Sequence, residues 1–122
     1  MRLASGVDLI EIERVQQVLE RHQERFLARV FTPAEISAAG RSAASLAARF
    51  AAKEAVAKAL GTGIGPVGWL EIEVLQGPER QPLLSLHGEA ARLAAEAGLQ
   101  SWSISLSHSQ THAVAVAVAI GL

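Results

Sequence analysis

The segment from Ser42 to Leu60 constrains the fold of this chain more than any other. It is rich in alanine and contains no glycine or proline, so intrinsic propensity alone predicts a helix. Gly61 follows as a residue suited to a left-handed C-terminal cap, and the glycines up to Pro66 cannot continue the helix. We therefore expect this helix to be the longest in the chain and to lead into an ordered glycine-rich loop.

Three further helices are predicted. The first has apolar residues every three or four positions, the spacing of one helical face. The second begins with Thr32-Pro33-Ala34-Glu35, in which Thr32 is the N-cap and Glu35 closes a capping box. The three predicted ranges are residues 12–30, 33–40 and 89–97, and Gly98 caps the last.

Alternating apolar and polar residues predict the strands. A short strand over Leu3 to Asp8 leads into the first helix, and two antiparallel pairs follow. The chain of 122 residues shows no composition break, so we expect one α+β domain with an antiparallel sheet packed against helices. The apolar positions of the two pairs are Leu70, Ile72 and Val74 with Leu84 and Leu86, then Trp102, Ile104 and Leu106 with Val114, Val116, Val118 and Ile120.

Composition excludes several classes of protein. The 11 basic and 12 acidic residues give a net charge of −1, which with 4% aromatic residues argues against nucleic-acid binding. The chain has no cysteine, so any metal ligands must be carboxylates or imidazoles. No apolar run resembles a signal peptide or reaches membrane-spanning length. We expect a cytoplasmic protein that contacts no membrane.

Two acidic residues are candidates for chemistry. Asp8 lies where a strand gives way to a helix, and taken alone it is explained as an N-cap or first-turn acid. Glu54 shares the apolar stripe of the third helix and needs a partner, which Lys58 one turn later can be in an ordinary helix pair. However, Arg49 and Lys53 crowd the same helix beside the glycine-rich loop. Several cations and one acid near exposed backbone amides suit a phosphate-bearing ligand with its metal.

The loop and one histidine are weaker signals. Gly61-Thr62-Gly63-Ile64-Gly65 is not a Walker loop, because it follows a helix and no Gly-Lys-Ser/Thr is present. His108 ends a predicted strand, where a solvated turn residue is the ordinary interpretation.

The first helix carries a basic ridge. Arg14, Val18, Arg21 and Arg25 fall within a narrow arc at a hundred degrees per residue. Acidic neighbours on the same helix allow a plain solvated face. The alternative is a docking surface for an acidic helical protein, in which charge steers encounter and the valine supplies apolar contact.

Taken together, these segments resemble the holo-acyl carrier protein synthase family, the small phosphopantetheinyl transferases. The resemblance covers nearly the whole chain, and the third-helix segment is its most specific part. The matching stretches are Gly6-Val7-Asp8-Leu9-Ile10-Glu11 with Arg14, Phe31-Thr32-Pro33-Ala34-Glu35, the run from Arg49 through Lys53, Glu54 and Lys58 to Gly63, and Ser105-Leu106-Ser107-His108.

The resemblance implies an enzyme that transfers 4'-phosphopantetheine from coenzyme A to a serine of apo-acyl carrier protein in support of fatty acid biosynthesis. It implies Mg²⁺ held by Asp8 and Glu54, with Lys58 offsetting charge on the phosphates and either Glu54 or a water on the metal accepting the serine proton. It also implies a homotrimer in which neighbouring subunits complete each site, and a basic ridge that faces the acyl carrier protein. The residues implied for coenzyme A are Arg49, Lys53, Gly61, Thr62, Gly63, Gly65 and His108.

Two other functions compete with this one. One is a broad-specificity transferase that acts on peptidyl or polyketide carriers. The larger family members with that specificity carry a second acid at the position of Ile10 in this chain, and we expect water to fill that place here. A non-catalytic module would bind coenzyme A or a carrier without transfer. Glu35 is fully explained as a capping residue, so it is left out of the predicted site.

Overall fold

The computed structural model describes residues 1–40 and 42–122 and forms an α+β fold. A 3-10 turn at Trp69–Glu71 precedes the second strand. The elements in chain order are β1 (Arg2–Glu11), α1 (Ile12–Val30), α2 (Pro33–Ala39), α3 (Ala43–Ala59), β2 (Ile72–Gln76), β3 (Pro82–Leu86), α4 (Gly88–Glu96), β4 (Ser101–His108) and β5 (His112–Gly121).

Most predicted elements are confirmed, with two corrections. The capping box at Thr32 and Glu35 is present, and Gly61 has a φ of 82°, as a left-handed cap requires. Leu70 was predicted in a strand, but it lies in the 3-10 turn and is 45% exposed. Helix α3, with 17 residues, is the longest uninterrupted helix among the described residues, as predicted, because the 19-residue α1 is broken at His22. The first strand was predicted to end at Asp8, but β1 extends to Glu11.

The strands form two antiparallel sheets. The larger has the order β1-β5-β4 and the smaller is the β2–β3 hairpin. Along β5, alanines at alternate positions are fully buried and face the helices, whereas the valines and Ile120 between them face the other way. The register pairs Asp8 with Ala115, so the Asp8 side chain lies on the face that also carries the helices.

Helix α3 is the centre of the core. It packs against β1 and β5, and its side chains are buried on nearly all sides because these strands, β2 and helices α1 and α2 surround it. Its small alanines let the strands approach closely. A Cβ atom on Gly6 would lie 3.0 Å from the Ala59 nitrogen and would overlap the Ala55 carbonyl oxygen. This close approach brings the Asp8 end of β1 against the Glu54 face of α3.

Helix α1 crosses the other side of α3 and is not straight. His22 has φ −136° and ψ 30°, values that interrupt the helix, and the two halves therefore differ in direction. None of the helices within the described residues is long and apolar enough to cross a membrane.

Candidate active site

The three predicted catalytic residues lie together where β1 meets α3. Glu54 and Lys58 are one turn apart on α3, so their side chains leave the same face of the helix. The Lys58 ammonium donates to an Asp8 carboxylate oxygen at 3.2 Å and to the Val7 carbonyl at 3.1 Å. Asp8, Glu54 and Lys58 also line one cavity of about 470 Å³.

The two carboxylates influence each other. Partial burial raises the pKa of Glu54, the negative charge of Asp8 raises that pKa further, and Lys58 acts in the opposite direction. The carboxylates are therefore close enough to repel each other. A cation between them would relieve that repulsion. The arrangement of charges therefore favours the binding of a cation.

This donor set fits Mg²⁺. Mg²⁺ prefers oxygen ligands, usually keeps several waters, and is commonly bound by one or two carboxylates together with substrate phosphates. The described residues contain no cluster of three or more histidine, cysteine or acidic side chains able to hold a metal by themselves. A metal here would thus depend on two carboxylates and on oxygens from a ligand and from water.

Most of the remaining cavity wall is apolar, and of these apolar side chains the sequence analysis had assigned only Val18 to a site. Phe50 lies one turn before Glu54, and Phe26 of α1 packs near it with ring centroids 6.4 Å apart. Their helical spacing gave a signal for core positions but none for a cavity, which forms only when α1 crosses α3. The other apolar lining residues are Leu9, Ile10, Val15 and Val18.

The predicted basic ridge reaches this cavity at one end. Arg14 and Val18 line the cavity beside Asp8. Arg25 lines a smaller neighbouring cavity of about 270 Å³, which shares Val18 and Phe26 with the first. Arg21 is exposed on the same helix and lines neither. The ridge therefore leads from open surface to the carboxylates.

Lys53 does not face this cavity. Its side chain is fully buried, and its ammonium lies 2.7 Å from a Glu35 oxygen, 3.0 Å from the Trp69 carbonyl and 2.7 Å from the Ile72 carbonyl. All three of its hydrogen-bond donors are thus occupied inside the protein. This geometry leaves no donor of Lys53 for coenzyme A, so we do not retain that predicted role.

Arg49 lies in the same buried region but near its edge. It is 8% exposed, and its guanidinium donates to the Val74 carbonyl at 3.3 Å and to the Ser45 hydroxyl at 2.6 Å. Burial lowers the pKa of Arg49, while the nearby Glu35 carboxylate opposes that change. A contact with a ligand would have to use the remaining edge of the guanidinium.

Glu35 has a larger role than its predicted capping function. Besides accepting from the Thr32 amide at 2.9 Å, its carboxylate accepts from the Val74 amide at 2.9 Å and binds Lys53. Glu35 is fully buried. A buried lysine needs an acidic partner, and this requirement was the signal that could have found the pair.

The glycine-rich loop and His108 lie outside the cavity within one chain. The loop begins three residues after Lys58, and the amides of Thr62 and Gly63 both donate to the Ala57 carbonyl at 3.2 Å. His108 is exposed at the end of β4, and β5 separates that strand from β1. None of these predicted coenzyme A contacts lines the Asp8 cavity within a single chain.

Comparison with known proteins identifies the family. Residues 4–117 match the model of the 4'-phosphopantetheinyl transferase superfamily, and the chain belongs to this family. It is 50% identical to a holo-(acyl-carrier-protein) synthase from Herpetosiphon aurantiacus over 98% of this chain and 99% of that protein. It is 50% identical to a second such synthase from Moorella thermoacetica, over 95% of this chain and 92% of that protein.

A solved structure agrees with this assignment. The holo-(acyl-carrier-protein) synthase of Helicobacter pylori, crystallised in complex with coenzyme A, superposes with a TM-score of 0.88. The two chains are 34% identical, and the match covers 95% of this chain and 99% of the other. The fold predicted from the resemblance is thereby confirmed.

Proposed function

We propose that this chain is an enzyme that transfers 4'-phosphopantetheine from coenzyme A to a serine of apo-acyl carrier protein, in support of fatty acid biosynthesis. The observation that carries the proposal is the convergence of Asp8, Glu54 and Lys58 in one cavity that the basic ridge of α1 enters. The similarity to holo-(acyl-carrier-protein) synthases along the whole chain supports the same reaction.

The reaction exchanges one phosphorus–oxygen bond for another. The serine hydroxyl of the carrier attacks the pyrophosphate phosphorus next to pantetheine, a new oxygen–phosphorus bond forms, and adenosine 3',5'-bisphosphate leaves. The protein needs no nucleophile of its own, so its contribution is to position the reactants and to neutralise charge. Lys58 lies on the rim of the cavity and is half exposed, so its ammonium can move from Asp8 to a phosphate oxygen.

Asp8 and Glu54 would hold the metal. When bound, Mg²⁺ supplies positive charge to the pyrophosphate oxygens. The mutual repulsion of the two carboxylates supports this role, because it favours cation binding. Either Glu54 or a water molecule beside it would accept the serine proton.

Carrier docking would use the ridge of Arg14, Val18, Arg21 and Arg25. The three arginines are exposed, and an acidic helix lying along α1 would bring its serine to the Asp8 end of the ridge. A carrier protein lacking acidic residues on that helix should bind poorly.

A homotrimer is part of the proposal. The outer face of the β1-β5-β4 sheet exposes a continuous set of apolar side chains, which is unusual for a monomer. A second copy docked on that face could bring its His108 or glycine-rich loop towards the Asp8 cavity of the first. We also place the enzyme in the cytoplasm, in keeping with its lack of cysteine.

The decisive experiment is mass spectrometry of an apo-acyl carrier protein incubated with this protein, coenzyme A and Mg²⁺. We expect a mass gain of one phosphopantetheinyl group, and no gain with Asp8→Ala, with Glu54→Ala or with a chelator present. Unchanged binding of coenzyme A together with no transfer to several carriers would instead support a binding module. Equal rates on peptidyl and polyketide carriers would support a broad-specificity transferase.

A further inference from the structure

A buried ion pair lies outside the cavity of the proposed active site. The Lys53 ammonium and the Glu35 carboxylate are both fully buried and lie 2.7 Å apart. The Lys53 ammonium is also 5.5 Å from the centre of the Phe31 ring. Neither side chain touches the cavity that holds Asp8 and Glu54.

The pair joins three separate parts of the chain. Lys53 belongs to α3, and its ammonium binds the carbonyls of Trp69 and Ile72, at the turn before β2 and at the start of β2. Glu35 belongs to α2, and its carboxylate accepts from the amide of Val74 in β2. These three contacts are to backbone atoms, so they hold the backbone of the turn and of β2 against α2 and α3.

Stability alone is a weak reason for such a pair. Desolvation lowers the pKa of Lys53, and the nearby Glu35 carboxylate opposes that change. Buried ion pairs can often be replaced by apolar residues of similar volume with little loss of stability, whereas removing one partner is strongly destabilising. A contribution to geometry is then the better explanation.

The contacts run from the pair to the cavity wall. Trp69 accepts from Lys53 through its carbonyl, and its indole ring lies against Phe50 with ring centroids 4.6 Å apart. Phe50 lines the cavity one turn before Glu54 on α3. Lys53 itself precedes Glu54, so holding its side chain on one side of α3 sets the direction in which Glu54 projects.

We propose that Glu35 and Lys53 are positioning residues for the transfer reaction, which hold Glu54 and the Phe50 wall in place through α3 and Trp69. This inference rests on the proposed function. A displacement of about 1 Å in a catalytic group can lower turnover by about a hundredfold. Loss of the pair should therefore reduce kcat even where the fold survives.

The test uses the double variant Glu35→Gln/Lys53→Met, which removes both charges and keeps similar volumes. We expect it to fold, to melt within several degrees of the wild type, and to lose on the order of 10- to 100-fold in kcat. The KM for coenzyme A should change less than about threefold, because neither residue touches that ligand. The matched control is Glu89→Gln/Arg92→Met, which removes an exposed ion pair on α4 and should leave kcat unchanged.

A second variant tests the route and does not depend on the pair. Trp69→Leu keeps the backbone carbonyl that binds Lys53 but removes the ring from Phe50, and we expect a similar loss of kcat. In a Trp102→Phe background, fluorescence reports Trp69 alone, and the Glu35→Gln/Lys53→Met change should shift its emission to the red as the ring leaves Phe50.

Two outcomes would overturn the inference. One is wild-type kcat in a folded double variant, or in a folded Trp69→Leu variant. The other is a raised KM for coenzyme A with kcat intact, which would mean that Lys53 contacts the substrate. Wild-type protein is assayed in parallel, so failure of the proposed function would appear as absence of transfer in every sample.

Discussion

Lys53 and Lys58 are five residues apart on α3, and the structure gives them opposite environments. Lys53 is fully buried with three acceptors, whereas Lys58 is 51% exposed and leans over Asp8. Both sit among the same small residues in the sequence. The difference arises because the β2–β3 hairpin covers the side of α3 that carries Lys53 and leaves the side that carries Lys58 exposed.

The first prediction concerns Lys58→Met. We expect turnover to fall by about a hundredfold or more, because the ammonium would no longer offset charge on the phosphate oxygens. An exposed ion pair contributes only about 0–1 kcal/mol to stability, so the melting temperature should hardly change. Transfer assays beside thermal denaturation measure both. A large drop in melting temperature would show that Lys58 is mainly structural.

The second prediction concerns pH and Glu54. Its pKa in the folded protein is raised, first by burial and then by Asp8, so ionisation of Glu54 destabilises the fold. That penalty is fully present above the folded pKa, declines as pH falls through it, and is absent below the unfolded pKa. Without metal, Glu54→Gln should therefore be slightly more stable than wild type at neutral pH, and this advantage should vanish near pH 4.

The measurement is the melting temperature of both proteins across that pH range in a chelator. The gain should be small, roughly 1–3 °C, because solvent screens a partly exposed group. Adding Mg²⁺ should stabilise the wild type and not the variant, which reverses their order. An advantage that persists unchanged at pH 4 would contradict the electrostatic explanation.

At the scale of elements, local patterns in the sequence carried most of the fold. Alanine content predicted α3, the Thr32 box predicted the start of α2, and alternation predicted β4 and β5. The pairing of β1 with β5 was not predicted, because that contact joins the two ends of the chain. The pattern at Leu70 was misleading, since one apolar residue beside a strand gives no sign of where the strand starts.

The candidate site likewise contains residues that the sequence analysis found and residues whose environments it did not find. Asp8, Glu54 and Lys58 were found through a family resemblance, and the structure brings them together. The environments of Lys53 and Glu35 were not found, because a capping box explained Glu35 locally and the contact with α3 spans 18 residues. Helix periodicity also gave no sign of the interruption at His22.

The third prediction concerns the contact of β1 with α3 at Gly6. Gly6→Ala would force the strand away from the Ala55 carbonyl, so we expect a loss of roughly 2–3 kcal/mol of stability. Asp8, two residues later, would move away from Glu54, so the Mg²⁺ concentration for half-maximal activity should rise at least severalfold.

A matched glycine provides the control. At Gly77 an added Cβ would meet the flexible Gln81 side chain, and Gly77→Ala should therefore be tolerated. Activity is measured against Mg²⁺ concentration for both variants, with denaturant unfolding in parallel. An unchanged metal requirement in a destabilised Gly6→Ala protein would show that this contact supports the fold and not the site.

At the scale of the whole molecule, the outer face of the main sheet is the surface that indicates assembly with other copies of the chain. Val7 is 55% exposed and Leu9 is 64% exposed, and Val116, Val118 and Ile120 lie beside them on β5. Serines of β4 border this apolar set. Exposed apolar area bordered by polar side chains is typical of an interface between proteins.

The fourth prediction tests that interface. Val118→Asp places a charge on this apolar face, where burial against another subunit would be strongly unfavourable. We expect the variant to remain folded, because the side chain points away from the helices, but to be monomeric and to have little transfer activity. Ala95→Asp on the exposed side of α4 is the control and should remain trimeric and active. Light scattering and transfer assays at the same protein concentration decide the matter, and a fully active monomer, whether variant or wild type, would refute the role of assembly in completing the site.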